Sequence, residues 1–194
     1  FELTTDLVIS SAGRIPNVDQ LGLENVGVTF NRHGIQVNDR LQTANPHIYA
    51  IGDVSDTPVP KLTPVAGYEA RYLVQQLTQP GAAITYPVIP TQVFAVPKLA
   101  QVGLSATDAA DQPDKYRVNT LDMTKWFSYY RFGARQAQAK VIIDQASGQV
   151  VGATLLSDVA DEMINYLTLL IEKHVTLAQL QQLVLAYPTP ASDL

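Results

Sequence analysis

The sequence predicts an α+β protein in which an antiparallel sheet with helices occupies the second half of the chain. Three observations lead there. After Thr91, apolar and polar residues alternate in five short runs, QVFAV, LAQVGL, YRVNTLDM, AKVIID and VVGATLL, the period of half-buried strands. Turn formers interrupt them at Val96-Pro97 and at Gln145-Ala146-Ser147-Gly148. The period then lengthens: Val159, Met163, Leu167, Leu170 and Ile171 fall on one face of a helix over roughly residues 157 to 173. Strands first and helices after them separate the two kinds of layer, which is the α+β pattern.

Taken in order, Asp6 to Ser10 (DLVIS) reads as a short strand leading to Ala12-Gly13-Arg14 and a Pro16-Asn17 loop. Val26-Gly27-Val28 and Gly34-Ile35-Gln36-Val37 look like further short strands. Ile48, Tyr49, Ala50 and Ile51 form an apolar run suited to a covered parallel sheet, and Gly52 lets the chain turn at its end. Asp53 is then presented where open α/β sheets place ligands, able to accept hydrogen bonds from ligand hydroxyls. Thr63 is expected to cap a helix that starts at Pro64 and runs through Val65, Ala66, Tyr68, Leu73, Val74 and Leu77. Pro80-Gly81, Pro87 and Pro90 make a stiff connection, which sets a boundary near residue 85 and divides the chain into 1–85 and 86–194. Beyond it, Ser105 with Asp108 signals a short helix through Ala110, and Thr176 with Gln179 caps another.

Composition bounds the function. With 194 residues, 46% apolar and 16% charged, the chain can bury a real core. A net charge of −5 without any basic cluster argues against a nucleic-acid partner. No apolar run approaches the roughly 20 residues that span a bilayer, and the opening FELTTDLVIS has no signal-peptide character, so a cytoplasmic protein with no membrane partner is expected. Zero cysteines remove disulfides and thiolate chemistry from these residues. His33, His47 and His174 are scattered with no i, i+4 partner, which argues against a metal site. Lys173 and His174 complement a helix carboxyl terminus; Lys140 heads a strand, and Asp161 with Glu162 opens the long helix. Trp126, Phe127, Tyr129 and Tyr130 suit a core or a subunit contact better than a ligand platform.

The string QTANPHIYAIGDV followed by KLTPVAGYEAR resembles the second FAD-contacting segment of the glutathione reductase family, the two-dinucleotide flavoprotein disulfide reductases. DLVISSAGRIPN resembles the segment by which the nicotinamide-binding domain returns to the FAD domain, and PTQVFAVPKLAQVGLSATDA resembles the family's dimerisation domain. The resemblance implies FAD contacts at Gly52, Asp53, Leu62 and Thr63, with the helix amino end aimed at the pyrimidine edge of the flavin ring. It places Gly13 beside bound NAD(P)H and a homodimer interface on residues 86–194, and it makes residues 1–85 an incomplete FAD-domain segment. Family members also carry a redox-active cysteine pair and Gly-rich nucleotide turns, whereas the eleven glycines here include no G-x-G. A carboxyl-terminal portion, inert alone, is therefore expected, with NADH or NADPH left open. So is the small-molecule electron acceptor: glutathione, another disulfide, a metal ion or dioxygen. A free-standing, non-catalytic dimerisation or binding module is the alternative.

The tail departs from the family pattern. Its members usually end in His-Pro-Thr with a Glu five residues after the histidine, a proton relay and its orienting carboxylate. Here Pro188-Thr189 sets the register, which puts Tyr187 at the histidine's place, Ser192 at the carboxylate's and Asp193 one step late. An imidazole exchanges protons near neutral pH, whereas a phenol with an ordinary pKa of about 10 mainly donates a hydrogen bond or stabilises a thiolate. Mercuric reductase and coenzyme A disulfide reductase use tyrosines near the substrate, so an enzyme resembling those two and using Tyr187 is a further alternative. Tyr187 is accordingly a candidate catalytic residue, with packing at the dimer seam as the alternative.

Overall fold

The computed structural model describes residues 2–194. The chain divides between Thr85 and Tyr86 into two compact units.

The first unit opens with coil. A 3-10 turn at Leu23–Val26 is bracketed by Gly22 and Gly27, both left-handed. Next come β1 (Phe30–Asn31) and β2 (Gly34–Gln36), an antiparallel hairpin, then β3 (Ser55–Asp56), which pairs in parallel with β2, and α1 (Thr63–Thr78). Gly34 is required where β2 meets β3: its φ is +144°, and a Cβ there would lie 2.4 Å from the Val54 carbonyl oxygen. Asn31 fastens the hairpin by accepting the His33 N–H at 2.6 Å and donating to Asp56 at 2.8 Å. Val18, Leu23, Val28, Ile35 and Ala50 form the small core.

Four sequence expectations change here. Asp6 to Ser10 is coil with Leu7, Val8 and Ile9 exposed, because among the described residues no strand pairs with it and an unpaired strand leaves its backbone groups unsatisfied. Val26-Gly27-Val28 is not a strand, since Gly27 at φ 71° ends the 3-10 turn and breaks any extended run. The Ile48–Ile51 run makes an antiparallel bridge, Tyr49 to Gln42, in place of a parallel strand. An apolar run shows burial but not the direction of its neighbour. Finally, α1 starts one residue early: Ala66 N–H bonds Leu62 O at 3.0 Å, Leu62 is the N-cap, and Thr63 makes no capping bond. Pro64 moves to the second helical position, where its missing N–H is equally harmless.

In the second unit the order is β4 (Thr91–Val93), β5 (Lys98–Gly103), α2 (Ala106–Ala110), β6 (Tyr116–Asp122), α3 (Phe127–Arg131), β7 (Gln138–Asp144), β8 (Val150–Ser157), α4 (Ala160–Glu172), α5 (Leu177–Leu180) and α6 (Pro190–Asp193). The sheet is antiparallel throughout, ordered β4-β5-β8-β7-β6. Met163, Ile164, Leu167, Leu170 and Ile171 of α4 are buried in one core with Ala100, Val102, Ala153 and Leu155 of the sheet, so the 3.6-residue stripe faces the strands as the sequence implies. The expected caps form: Ser105 accepts Asp108 N–H at 3.0 Å, and Thr176 with Gln179 closes a reciprocal capping box. Lys140 lies inside β7 opposite Thr120 and Thr154 and does not head the strand. Among the described residues no helix is long and apolar enough to cross a membrane.

One ion pair ties helix to sheet. Lys98 Nζ donates to Asp161 Oδ2 at 2.5 Å, and this bond holds the Asp161 carboxyl below the usual carboxylate range. A carboxylate depressed by folding contributes stability above its unfolded pKa of about 3.9 and loses it as pH falls through the lower folded value. The side chains are about one-third exposed, 32% and 33%, so solvent screening keeps the pair below about 1 kcal/mol. Lys98→Met is therefore expected to lower stability by less than about 1 kcal/mol at neutral pH. Urea midpoints of variant and parent should converge below about pH 4.

Candidate functional site

The turn after Ile51 is fixed by its own backbone and by the helix behind it. Ile51 is extended, and Gly52, at φ 71°, reverses the chain into a 3-10 turn, Gly52–Val54. A Cβ on Gly52 would come within 3.2 Å of the Ala66 methyl, so the turn lies directly on the amino-terminal half of α1. Gly52 N–H donates to Glu69 Oε2 at 2.6 Å, and Glu69 is 0% exposed. The same carboxylate accepts the Thr57 hydroxyl at 3.5 Å. Ser55 donates its hydroxyl to Gly52 O at 2.8 Å, and the Lys61 ammonium donates to the Ser55 carbonyl. The loop thus has little freedom to re-aim the residue that follows the glycine.

That residue, Asp53, points outward. Its side chain is 55% exposed and meets the Arg14 guanidinium, itself 84% exposed, at 3.5 Å. Such a pair contributes almost nothing to stability, so both groups remain free to exchange each other for a ligand. A cavity of 390 Å³ opens beside them, lined in part by Arg14, Asn17, Arg32, His33, Asp53 and Lys61. Two guanidinium groups, a lysine and an imidazole suit a phosphorylated ligand, and the carboxylate among them suits ligand hydroxyls. Leu62 and Thr63 open α1, whose first N–H groups have no intrahelical acceptor. Gly13 stands apart from the cavity lining, at φ +107° in exposed coil one residue before Arg14, with open space where its Cβ would be.

Sequence reading finds Gly52, Asp53, Leu62 and Thr63 but not the groups that hold or flank them. Glu69 has a readable signal: it follows Val65 by one helical turn on the buried face of α1, where a lone carboxylate must have a partner. Arg14 and Lys61 have none, because their partners are set by tertiary approach.

The tail is built around α3. The Tyr187 ring, 70% exposed, stacks on Phe127 with centroids 5.9 Å apart and planes 19° from parallel. Ser192 is engaged elsewhere: it accepts Thr189 N–H at 3.0 Å and returns its own N–H to Thr189 Oγ1 at 3.2 Å, the capping box of α6. Asp193 accepts the Ser128 N–H at 2.8 Å in the first turn of α3. Tyr129 is buried in the core, while Phe127 and Tyr130 are exposed.

A Gly-Asp turn seated on a helix with Pro64 in its first turn, in a chain that also carries a five-stranded antiparallel sheet packed on a long helix, is the arrangement that comparison with known proteins has to explain. The chain belongs to the pyridine nucleotide-disulphide oxidoreductase family: the family's dimerisation domain matches residues 89–194, and a second model of the pyridine nucleotide-disulphide oxidoreductases matches residues 2–70. The expected family and fold class are borne out. An uncharacterized 19.7 kDa protein in a mercuric resistance operon of Staphylococcus aureus is 39% identical over 90% of this chain and 98% of its own length. Dihydrolipoyl dehydrogenase of Buchnera aphidicola is 30% identical over 95% of this chain, which spans only 39% of that enzyme. The Cu(II) complex of the HOCl-induced flavoprotein disulfide reductase RclA from Escherichia coli superimposes with a TM-score of 0.86 at 26% identity, over 94% of this chain and 42% of that one. Enzymes of the family use FAD and NAD(P)H.

Proposed function

We propose that this chain supplies part of the FAD cradle and the homodimer interface of an FAD-dependent, NAD(P)H-oxidising reductase of disulfides or a related small electrophile. The observation that carries this reading is Asp53, held outward on a turn that Gly52 and Glu69 fix against α1. Asp53 accepts hydrogen bonds from ligand hydroxyls, and Arg14 and Lys61 offset phosphate charge. The α1 amino end at Leu62 and Thr63 favours negative charge on the flavin ring. Gly13 leaves room for the nicotinamide nucleotide. Gly52, Asp53, Leu62 and Thr63 would hold FAD, which would supply the electron transfer between nicotinamide and acceptor. Tyr187 donates its hydroxyl proton as a hydrogen bond to the reacting group of the acceptor or stabilises a thiolate there. Dimerisation through residues 86–194 belongs to the reading, because the family's tail motif reaches the partner subunit's flavin. A cytoplasmic setting without nucleic-acid or membrane partners belongs to the same reading, and a net charge of −5 with no basic cluster supports its nucleic-acid part.

Asp53→Ala in the flavin-loaded protein tests this. Loss of hydrogen bonds to a charged group should weaken FAD at least about tenfold, read as flavin absorbance retained after gel filtration. Unchanged retention would remove Asp53 from the site. A second reading, a free-standing dimerisation module, is favoured by the 19.7 kDa relative that this chain matches over 98% of its length. A full-length protein that takes up FAD supports the first reading, and one that stays colourless after FAD is added supports the second; dimerisation of these residues alone without flavin agrees with the first.

A further inference from the structure

We infer that Phe127 is the positioning residue for Tyr187, taking over the orienting task that a carboxylate has in the family's tail; this rests on the catalytic reading of Tyr187 given above. The task is open because neither residue that could have kept it hydrogen-bonds Tyr187; each is turned to another partner. The Ser192 hydroxyl is spent on the α6 capping box with Thr189, and it donates to Thr189 O at 2.7 Å. The Asp193 carboxylate holds the Ser128 N–H at 2.8 Å. What Tyr187 does have is a ring against its ring, 5.9 Å away and 19° from parallel. A phenol needs orientation about two torsions to aim one hydroxyl, and an offset stack restricts both without using the hydroxyl itself.

Phe127 is in turn held by its neighbours. Tyr129, 1% exposed, anchors α3 in the core, and Asp193 satisfies the N–H of Ser128, the residue next to Phe127. The tail therefore grips two adjacent residues of α3 from two points, Tyr187 on the Phe127 ring and Asp193 on the Ser128 backbone. Between those points the α6 capping box stiffens the connecting chain. Phe127 is 49% exposed, so core packing alone does not account for an aromatic side chain there.

The test compares Phe127→Leu, Phe127→Tyr and Tyr187→Phe in the flavin-loaded holoenzyme, assayed with oxidised glutathione, oxidised lipoamide and the disulfide of coenzyme A. NMR shifts of the residue-187 ring are measured in the same proteins. Phe127→Leu should erase the ring-current shift at residue 187 and lower kcat roughly two- to tenfold with KM unchanged, the range expected for losing one aromatic stack. Phe127→Tyr should restore both. In a Tyr187→Phe background the kcat effect of Phe127→Leu should vanish. An unaltered ring shift in Phe127→Leu, or an equal kcat loss in both backgrounds, overturns the inference. If Tyr187→Phe matches the parent with each disulfide, the catalytic reading of Tyr187 fails by itself. The ring shift then decides whether Phe127 holds Tyr187.

Discussion

Replacing Gly152 with Ala is expected to destabilise the Tyr86–Leu194 unit by about 3 kcal/mol or more, and Gly152→Val to prevent its folding. Gly152 lies in β8, the central strand of the sheet, directly opposite Gly103 of β5. A Cβ at Gly152 would sit 2.1 Å from the Leu104 carbonyl oxygen and 2.8 Å from its nitrogen. Those are backbone atoms, and Leu104 N–H already bonds Val151 O at 2.9 Å, so relief requires pulling β5 away from β8. Gly103 is constrained from the other side, with φ +67° and a Cβ position 2.3 Å from Val151 O. Separating these strands disturbs the surface on which α4 packs, and with it the core from Ala100 to Ile171. Gly148→Ala is the matched control: its φ of 70° is also left-handed, but nothing lies within 4 Å of its Cβ position, so only the backbone penalty of roughly 1–2 kcal/mol applies. Urea midpoints read by circular dichroism rank the three variants. A Gly152→Ala protein as stable as Gly148→Ala would show that the strands do not approach so closely.

What the sequence reveals depends on how far apart the interacting residues are. Strands β4 to β8 and the α4 stripe are legible because a buried face imposes its own period on consecutive residues. The caps at Ser105 and Thr176 are legible because both partners lie within one helical turn. Asp6 to Ser10 misleads because alternation marks residues able to form a strand, and no partner among the described residues supplies the ladder. At the candidate site, Gly52, Asp53, Leu62 and Thr63 stand out as turn and helix-start punctuation. Arg14 beside Asp53 and Phe127 beside Tyr187 do not, since each pair is far apart in sequence and joined only by the fold. The aromatic run from Trp126 to Tyr130 reads as a single cluster, yet the structure divides it: Tyr129 enters the core and Phe127 turns to the tail.

Glu69→Ala is expected to cost the first unit about 3 kcal/mol and to release the Gly52 turn. The Glu69 carboxylate is wholly buried and accepts the Gly52 N–H at 2.6 Å. Alanine leaves that part-buried N–H without its acceptor, a loss of about 1–3 kcal/mol, and adds a void where the side chain was. Glu69→Gln should cost much less, because an amide oxygen can still accept from Gly52 while the amide nitrogen faces the Thr57 hydroxyl, now 3.5 Å from the carboxylate. That hydroxyl can rotate from donor to acceptor. The two carboxylates on either side of Gly52 therefore separate by assay. Asp53→Ala should weaken FAD while leaving the urea midpoint of the flavin-free protein within about 0.5 kcal/mol of the parent, as for other exposed positions. Glu69→Ala should lower both, since Asp53 is aimed only as well as the turn that carries it. If Glu69→Ala kept the parental urea midpoint, the Gly52 turn would owe its shape to its own backbone, and the buried carboxylate would have no part in presenting Asp53.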